Sequence, residues 1–273
     1  MKKCFLLSLF IFLSTFSIVN AQTKYDEFEL TGPVKLVGYK LYDNTNKLAE
    51  PPKAYLFSED HALKSIVVFY SDNTSYHFID KLERPSKIQD KNGNITAQYN
   101  YNSEANTFEV YQGSVLKISG KLDSQGRIIE LTSPAAEDKS PLDLNDNKQT
   151  KRLRILTYDK KGDQICEETF AVIESQKVAI LKIDYAYNDK NQKIFERWVR
   201  VDRPGKITEK TLIYDDRGFL VEMKGLEKST NEDLGSFTFI YDKIDDHGNW
   251  LKRRRLLNGR EAMTEERLIE YYN

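Results

Sequence analysis

A short turn placed after a tyrosine recurs along this chain and constrains its fold more than any other feature. Tyr-Asp-x-x-Gly occurs at 158–162 and 214–218, and Tyr187 is followed by a similar turn with Asn191 in the glycine place. A fourth copy begins at Tyr241, so the tyrosines recur about every 28 residues. Asp at the first turn position accepts backbone N–H bonds, and Gly or Asn tolerates the left-handed conformation. Each copy therefore predicts a β-hairpin.

The segments between these turns alternate apolar and polar residues with period two. At 179–187, Leu181, Ile183 and Tyr185 share one face while Lys182 and Asp184 take the other. This alternation indicates strands with one buried face. Because a single hairpin is marginally stable, successive hairpins must pair. The sequence predicts an all-β fold of antiparallel β-hairpin repeats that form a twisted, curved meander sheet.

Weaker copies of the turn occupy the first half of the chain. They begin at Asp43, Asp80, Asp90 and Asp123. The stretch 132–150 has two prolines and no aromatic residue, and it is predicted to be a polar loop. Residues 22–273 are therefore expected to form one β-repeat domain, with two halves, 22–131 and 151–273, as the alternative.

The N-terminus has the pattern of a secretory signal peptide. Lys2 and Lys3 precede an apolar run, and cleavage is expected between Ala21 and Gln22, so residues 1–21 are the signal peptide. Cys4 lies ahead of the apolar run, so lipid attachment is not expected. The chain is predicted to be exported to the periplasm or the cell exterior. Its formal net charge of −1 gives no electrostatic reason to expect binding to nucleic acid.

Taken together, these motifs resemble the YD-repeat (RHS-type) sequences of bacterial exported proteins. The resemblance rests on the two Tyr-Asp-x-x-Gly motifs, on 241–250, on the opening 31–35 and on the ending 266–272. It implies a small exported member built from hairpin repeats. Large members coil their sheets around a toxin, and this chain has neither the length nor the tail that such a role requires.

Residue patterns for catalysis or metal binding are missing from the sequence. After the signal peptide the histidines are His61, His77 and His247, which are scattered, and one cysteine, Cys166, remains. No nucleophile elbow and no phosphate-binding glycine loop occur. The sequence therefore predicts a non-catalytic protein without cofactor and without a metal site.

A dense basic run at 252–255 is followed by Glu261, Glu265, Glu266 and Glu270. In a strand, neighbouring residues of this run face opposite ways, so it does not form one basic patch. Pairing with glutamates of the next strand is the interpretation we favour over nucleic-acid binding.

Aromatic side chains are the candidate binding residues. Trp198, Trp250, Tyr271 and Tyr272 could stack on a sugar or anchor a protein partner, or they could simply fill the apolar face.

The predicted function is an exported binding or scaffolding module whose sheet contacts a protein or glycan, with no membrane insertion. An outer-membrane β-barrel is the alternative, and a secreted hydrolase is a weaker one. The sequence disfavours the barrel because charged neighbours such as Glu265 and Glu266 place charge on both faces.

Overall fold

The computed structural model describes residues 29–71, 73–82, 84–134, 151–201 and 205–272. The predicted signal peptide 1–21, with its cleavage site at Ala21 and Gln22, lies outside these residues, as does 135–150 of the predicted polar loop. The described part of the chain contains no helix long and apolar enough to cross a membrane. Its regular structure consists of strands, as the period-two alternation predicts.

Within the described residues the chain forms 18 strands. The first nine are β1 (Val34–Asp43), β2 (Lys53–Phe57), β3 (Leu63–Phe69), β4 (Thr74–Ile79), β5 (Pro85–Gln89), β6 (Ile95–Asn102), β7 (Thr107–Gln112), β8 (Val115–Leu122) and β9 (Ile128–Pro134). The second nine are β10 (Lys151–Tyr158), β11 (Gln164–Ile173), β12 (Gln176–Tyr187), β13 (Lys193–Arg200), β14 (Lys206–Tyr214), β15 (Leu220–Glu227), β16 (Glu232–Ile244), β17 (Trp250–Leu257) and β18 (Arg260–Tyr271).

Strands that follow one another in sequence are neighbours in the sheet, which confirms the predicted antiparallel meander. The meander also closes, because β1 pairs with β18 from Val34 opposite Tyr271 to Asp43 opposite Met263. The predicted open, curved sheet is therefore wrong, and the fold is a closed β-barrel. Closure removes the two free edges that an open meander would leave unpaired.

The predicted turns are confirmed in detail. The Asp159 carboxylate accepts the backbone N–H groups of Lys161 and Asp163, at 2.8 and 2.9 Å, and Gly162 has φ +95°. Asp215 and Asn188 accept in the same way from the residues two and four positions on. The bonds from its own turn, led by the one from the Asp163 N–H, hold the pKa of Asp159 below its usual value. These acidic residues are turn formers.

The copy of the motif that begins at Tyr241 forms its turn further along the chain than the other copies do. The turn-forming residue is Asp245, which accepts from the N–H groups of His247 and Asn249. Asp242 lies within β16. The additional residues are taken up by two register irregularities of β16, between Tyr241 and Ile244, as bulges accommodate an inserted residue.

The repeated tyrosines have a shared structural role. The hydroxyl of Tyr187 donates to the carbonyl of Gln164, the first residue of the preceding strand, at 3.0 Å. Tyr158 and Tyr241 make the equivalent bonds to Ile128 and Leu220, at 3.0 and 2.9 Å. These three tyrosines therefore tie a position at or near the end of one strand to the start of the strand before it, which explains their place in the repeat.

The chain divides into two compact units. The first comprises 1–98, 212–224 and 234–273, and the second comprises 99–211 and 225–233. The first unit has a core of Leu30, Val34, Val37, Phe57 and Leu63. In the second unit the buried apolar side chains include Phe108, Val110, Leu131, Leu156 and Ile183. Strands β9 and β10, which flank the predicted loop, pair directly from Pro134 opposite Lys151.

Candidate functional site

The basic run on β17 is split between the two faces of the sheet. Arg253 is buried, whereas the side chains of Lys252 and Arg254 are more than a third exposed. Arg253 stands directly opposite Glu265 of β18, and Lys252 stands opposite Glu266. Both pairs form salt bridges, at 2.9 and 3.1 Å. This arrangement confirms the predicted cross-strand pairing and places one ion pair inside the first unit.

Glu265 is the centre of the buried group. It is fully buried, and its carboxylate accepts two hydrogen bonds from Arg253, at 2.9 and 3.0 Å. It accepts a third from Arg255 and a fourth from the Tyr39 hydroxyl, the latter at 2.5 Å. Burying a carboxylate is costly unless its charge is compensated and its lone pairs are occupied, and both conditions hold here.

Trp250 and Glu29 extend this group. Trp250 is fully buried, and its indole N–H donates to the Glu29 carboxylate at 2.7 Å. Arg253 also donates to Glu29, at 3.2 Å, and its guanidinium lies 4.2 Å from the centre of the Trp250 ring. Glu29 in addition accepts the backbone N–H of Leu220 at 3.0 Å. A carboxylate near the start of the described chain is therefore fixed against residues far from it in sequence.

Arg267 completes the group from β18. Its guanidinium lies 3.5 Å from the centre of the Trp250 ring. Its Nε and Nη1 atoms are buried and have no hydrogen-bond partner among the described residues. We call the set formed by these residues the arginine cluster: Glu29, Tyr39, Trp250, Arg253, Arg255, Glu265 and Arg267. Three arginines face two glutamates in it, so the cluster carries one more positive than negative charge.

Asn249 holds the neighbouring end of the barrel together. Its side chain is fully buried, donates to the Thr31 carbonyl and to the Tyr271 hydroxyl, both at 2.7 Å, and accepts the Thr31 N–H at 2.6 Å. Tyr271 in turn donates to Asp245. These bonds tie the segment before β1 to the turn before β17.

The second unit contains a smaller polar group around Glu196. Its carboxylate accepts from Lys210 at 3.3 Å and from the indole N–H of Trp198 at 3.1 Å. The Lys210 ammonium also lies 4.8 Å from the centre of the Trp198 ring. The same carboxylate also accepts from Lys193 at 3.3 Å, so two lysines share one glutamate in this group.

The four predicted ring-stacking residues lie in different settings. Trp250 is fully buried in the arginine cluster, and Trp198 is half-buried beside Glu196. Tyr271 and Tyr272 are half-buried, and the Tyr272 hydroxyl donates to the Phe57 carbonyl at 2.7 Å. The structure brings Trp250 and Tyr271 into the same unit as Tyr272 but places Trp198 in the other. Ligand binding by these rings stays a prediction.

Sequence reasoning did not identify Glu29, Tyr39 or Arg267 as site residues. Glu29 and Tyr39 meet β17 and β18 through contacts that span most of the chain, so local patterns carry no sign of them. Arg267 could have been found, because the period of two puts it on the same face as Glu265. Across the described residues, His, Cys, Asp and Glu side chains form no group able to hold a metal ion.

The chain is similar to solved structures in its fold, but its sequence matches no family model. No family model and no curated protein matches the sequence. A porin-like protein from Bacteroides uniformis matches with TM-score 0.50 and 10% identity, over 88% of this chain and 99% of that one. A porin-like protein from Bacteroides vulgatus matches with TM-score 0.41 and 8% identity, over 89% and 99%. The TcdB2–TccC3 toxin complex matches with TM-score 0.26 and 11% identity, over 76% of this chain and 16% of that one.

These findings overturn three of the sequence predictions. The resemblance to YD-repeat proteins is contradicted, because the chain forms a closed barrel that shares its fold with a porin-like protein. The closed barrel shares its fold with the porin-like protein from Bacteroides uniformis, so the binding or scaffolding module built on an open sheet is also wrong. The expectation of no membrane insertion, which was based on charge on both faces of the strands, is contradicted by the same likeness. The shared barrel fold favours the β-barrel alternative over the open-sheet module.

Proposed function

We propose that this protein is a β-barrel of the bacterial outer membrane. The observation that carries the proposal is the closed ring of strands, in which β1 pairs with β18. Hydrocarbon offers no hydrogen bonds to an unpaired sheet edge, so a closed barrel is the form in which strands can cross a bilayer. The even number of strands among the described residues, the signal-peptide pattern and the likeness to a porin-like protein support the same proposal.

An apolar row shares the face of the exposed Leu268 in the first unit, and within this row Ala54 and Val67 are themselves buried. Gly38 of β1 stands opposite Leu268 on one side and Ala54 on the other, and Ala54 stands opposite Val67. The row continues to Tyr76 of β4. Directly opposed residues share a face of a sheet, so these five positions lie together on one face. Leu268, at 65% exposed, is the most prominent of them.

Charged side chains on the exposed face define where lipid would not lie. Lys182 and Asp184 form a salt bridge at 3.1 Å, and Arg254 forms one with Asp242 at 2.8 Å. Because the lipid-facing band of a barrel tolerates few charges, the proposal places these pairs at the headgroups or in water. Mutual pairing reduces the cost of holding them near the membrane boundary.

Membrane fractionation tests the location. The full-length chain, expressed in a Gram-negative host, is expected in the outer-membrane fraction and is expected to resist extraction by alkaline carbonate. Recovery in the soluble periplasmic fraction would refute the proposal.

Cysteine labelling in the membrane tests the surface assignment with two positions of comparable exposure. Leu268→Cys and Lys182→Cys are introduced separately after replacement of Cys166, and a membrane-impermeant maleimide is applied to purified protein in lipid vesicles. The side chain of Lys182 is 45% exposed in the folded protein. In detergent-free denaturant, where the chain is unfolded, both positions should label fully. In vesicles we expect labelling at 182 and protection at 268. Equal labelling of both positions in vesicles would contradict the assignment.

A further inference from the structure

The arginine cluster contains one cation that its own carboxylates do not satisfy. Glu265 is shared by Arg253 and Arg255, and Glu29 is shared by Arg253 and the Trp250 indole. Arg267 makes no salt bridge within the described residues. The cluster therefore has its spare positive charge at Arg267.

The hydrogen bonding of Arg267 is a second observation that singles out this residue, independent of the charge count. A guanidinium offers five N–H donors and accepts nothing. Of these, the donors on Nε and Nη1 are buried without a partner among the described residues. The large majority of buried donors in folded proteins have a hydrogen-bond partner, and leaving one without a partner is costly, more so when the group is charged. A bound ligand would account for two buried nitrogens of one cation that have no partner among the described residues.

Trp250 fixes the orientation of this cation. Stacking at 3.5 Å from the ring centre covers one face of the guanidinium, and the Trp250 ring is held in place by its bond to Glu29. A guanidinium is planar, so its N–H donors lie in one plane. Planar donors held this way are suited to two oxygens of one anion.

We propose that Arg267, stacked on Trp250, binds an oxyanion, namely a carboxylate or phosphate group of a small molecule. The anion balances the spare charge of the cluster and accepts hydrogen bonds from Arg267. Arg253 and Arg255 contribute to the positive potential but are committed to Glu265. This site goes beyond the outer-membrane assignment and does not depend on it.

Fluorescence of Trp250 provides the readout. The chain has two tryptophans, so Trp198→Phe leaves Trp250 as the single reporter. Purified Trp198→Phe protein is titrated with sodium phosphate, and separately with sodium acetate, against sodium chloride at matched ionic strength. A saturable change with phosphate or acetate that chloride does not reproduce is expected. An identical response to chloride would show general screening and would overturn the proposal, as would no saturable response to either oxyanion.

Two further variants in the same background identify the residue. Arg267→Met removes the charge and keeps an apolar stem, and it should raise the apparent Kd at least tenfold. Arg254→Met, on the exposed face of the adjacent strand, should leave the Kd within twofold. Equal Kd values for the parent and Arg267→Met would refute the site.

A thermal measurement covers the case in which Arg267→Met fails to fold. In the parent protein, phosphate or acetate at saturating concentration should raise Tm relative to chloride of equal ionic strength, because a ligand that binds the folded state stabilises it. An unchanged Tm would overturn the proposal. Membrane location is not probed by any of these assays, so their failure is distinguishable from failure of the outer-membrane assignment.

Discussion

Replacement of Glu265 by glutamine tests the buried network most sharply. The change removes the one carboxylate that Arg255 contacts and the main partner of Arg253, while nearly preserving side-chain volume. Breaking a buried ion pair by removing one partner costs about 3–5 kcal/mol, because a buried charge is left uncompensated. We expect Glu265→Gln to lower the free energy of unfolding by about that amount, measured by denaturant titration of the purified protein.

Glu266 is the matched control for this change. It is the next residue on β18, carries the same charge and pairs with Lys252, but its side chain is 42% exposed. An exposed pair contributes about 0–1 kcal/mol, so Glu266→Gln should be nearly silent. If the two variants lose the same free energy of unfolding, the reasoning from burial is refuted.

A double variant separates the interaction energy of Arg255 with Glu265 from the free energy that each single variant loses through poorer packing. Arg255→Met combined with Glu265→Leu removes a cation together with the carboxylate it contacts. The loss should be smaller than the sum of the two single losses by about 0.5–3 kcal/mol, the coupling expected of residues in one network. Strict additivity would mean that Arg255 and Glu265 do not interact as described.

Three further predictions concern the strands and turns. Gly120→Ala should destabilise the protein by about 1–3 kcal/mol or prevent folding, because a Cβ there would lie 2.4 Å from the Phe108 ring; a silent change in a thermal melt would contradict this contact. Tyr158→Phe removes the hydrogen bond to the Ile128 carbonyl and should cost about 0.5–1.5 kcal/mol by denaturant titration, and no loss would argue against the tyrosine tie. The backbone N–H of Asp163 and other N–H groups of the turn lower the pKa of Asp159. The Asp159 carboxylate should therefore contribute fully to stability above pH of about 4, and this contribution should fade as pH drops through the lowered pKa. Asp159→Asn should therefore show a smaller loss of stability on acidification, and an identical pH profile would refute the assignment.

Much of the local structure follows from short-range chemistry. The turns at Asp159, Asn188 and Asp215 form where an acceptor side chain precedes a residue that tolerates positive φ. The pairing of the basic run with Glu265 and Glu266 follows from alternation along two strands joined by a tight turn. These features depend on residues close in sequence, so the pattern alone predicts them.

Closure of the barrel could not be predicted in the same way. The residues of β1 alternate like those of an inner strand, and nothing nearby indicates that their second partner is β18. The charge argument against a barrel was also misleading. Glu265 and Glu266 lie on opposite faces of the sheet, and each forms a salt bridge with a basic residue of β17 on its own face. The arginine cluster was missed for the same reason, since Glu29 meets Trp250 and Arg253 only after the ends of the chain come together.

A disulfide between β1 and β18 tests closure of the barrel most directly. Lys40 stands opposite Glu266, and opposed residues of antiparallel strands have Cα atoms about 4.5–5.5 Å apart, within the range of a disulfide. With Cys4 and Cys166 replaced by serine, Lys40→Cys with Glu266→Cys should form an intramolecular disulfide under mild oxidation, seen as a reducible shift in gel mobility.

The control pair is Lys40→Cys with Lys64→Cys, which lie closer in sequence but two strands apart, on β1 and β3. Strand spacing of about 4.8 Å puts these two backbones beyond disulfide range. A closed barrel predicts cross-linking of 40 to 266 and not of 40 to 64. Failure of the 40–266 pair to cross-link in the folded protein would contradict the closed barrel.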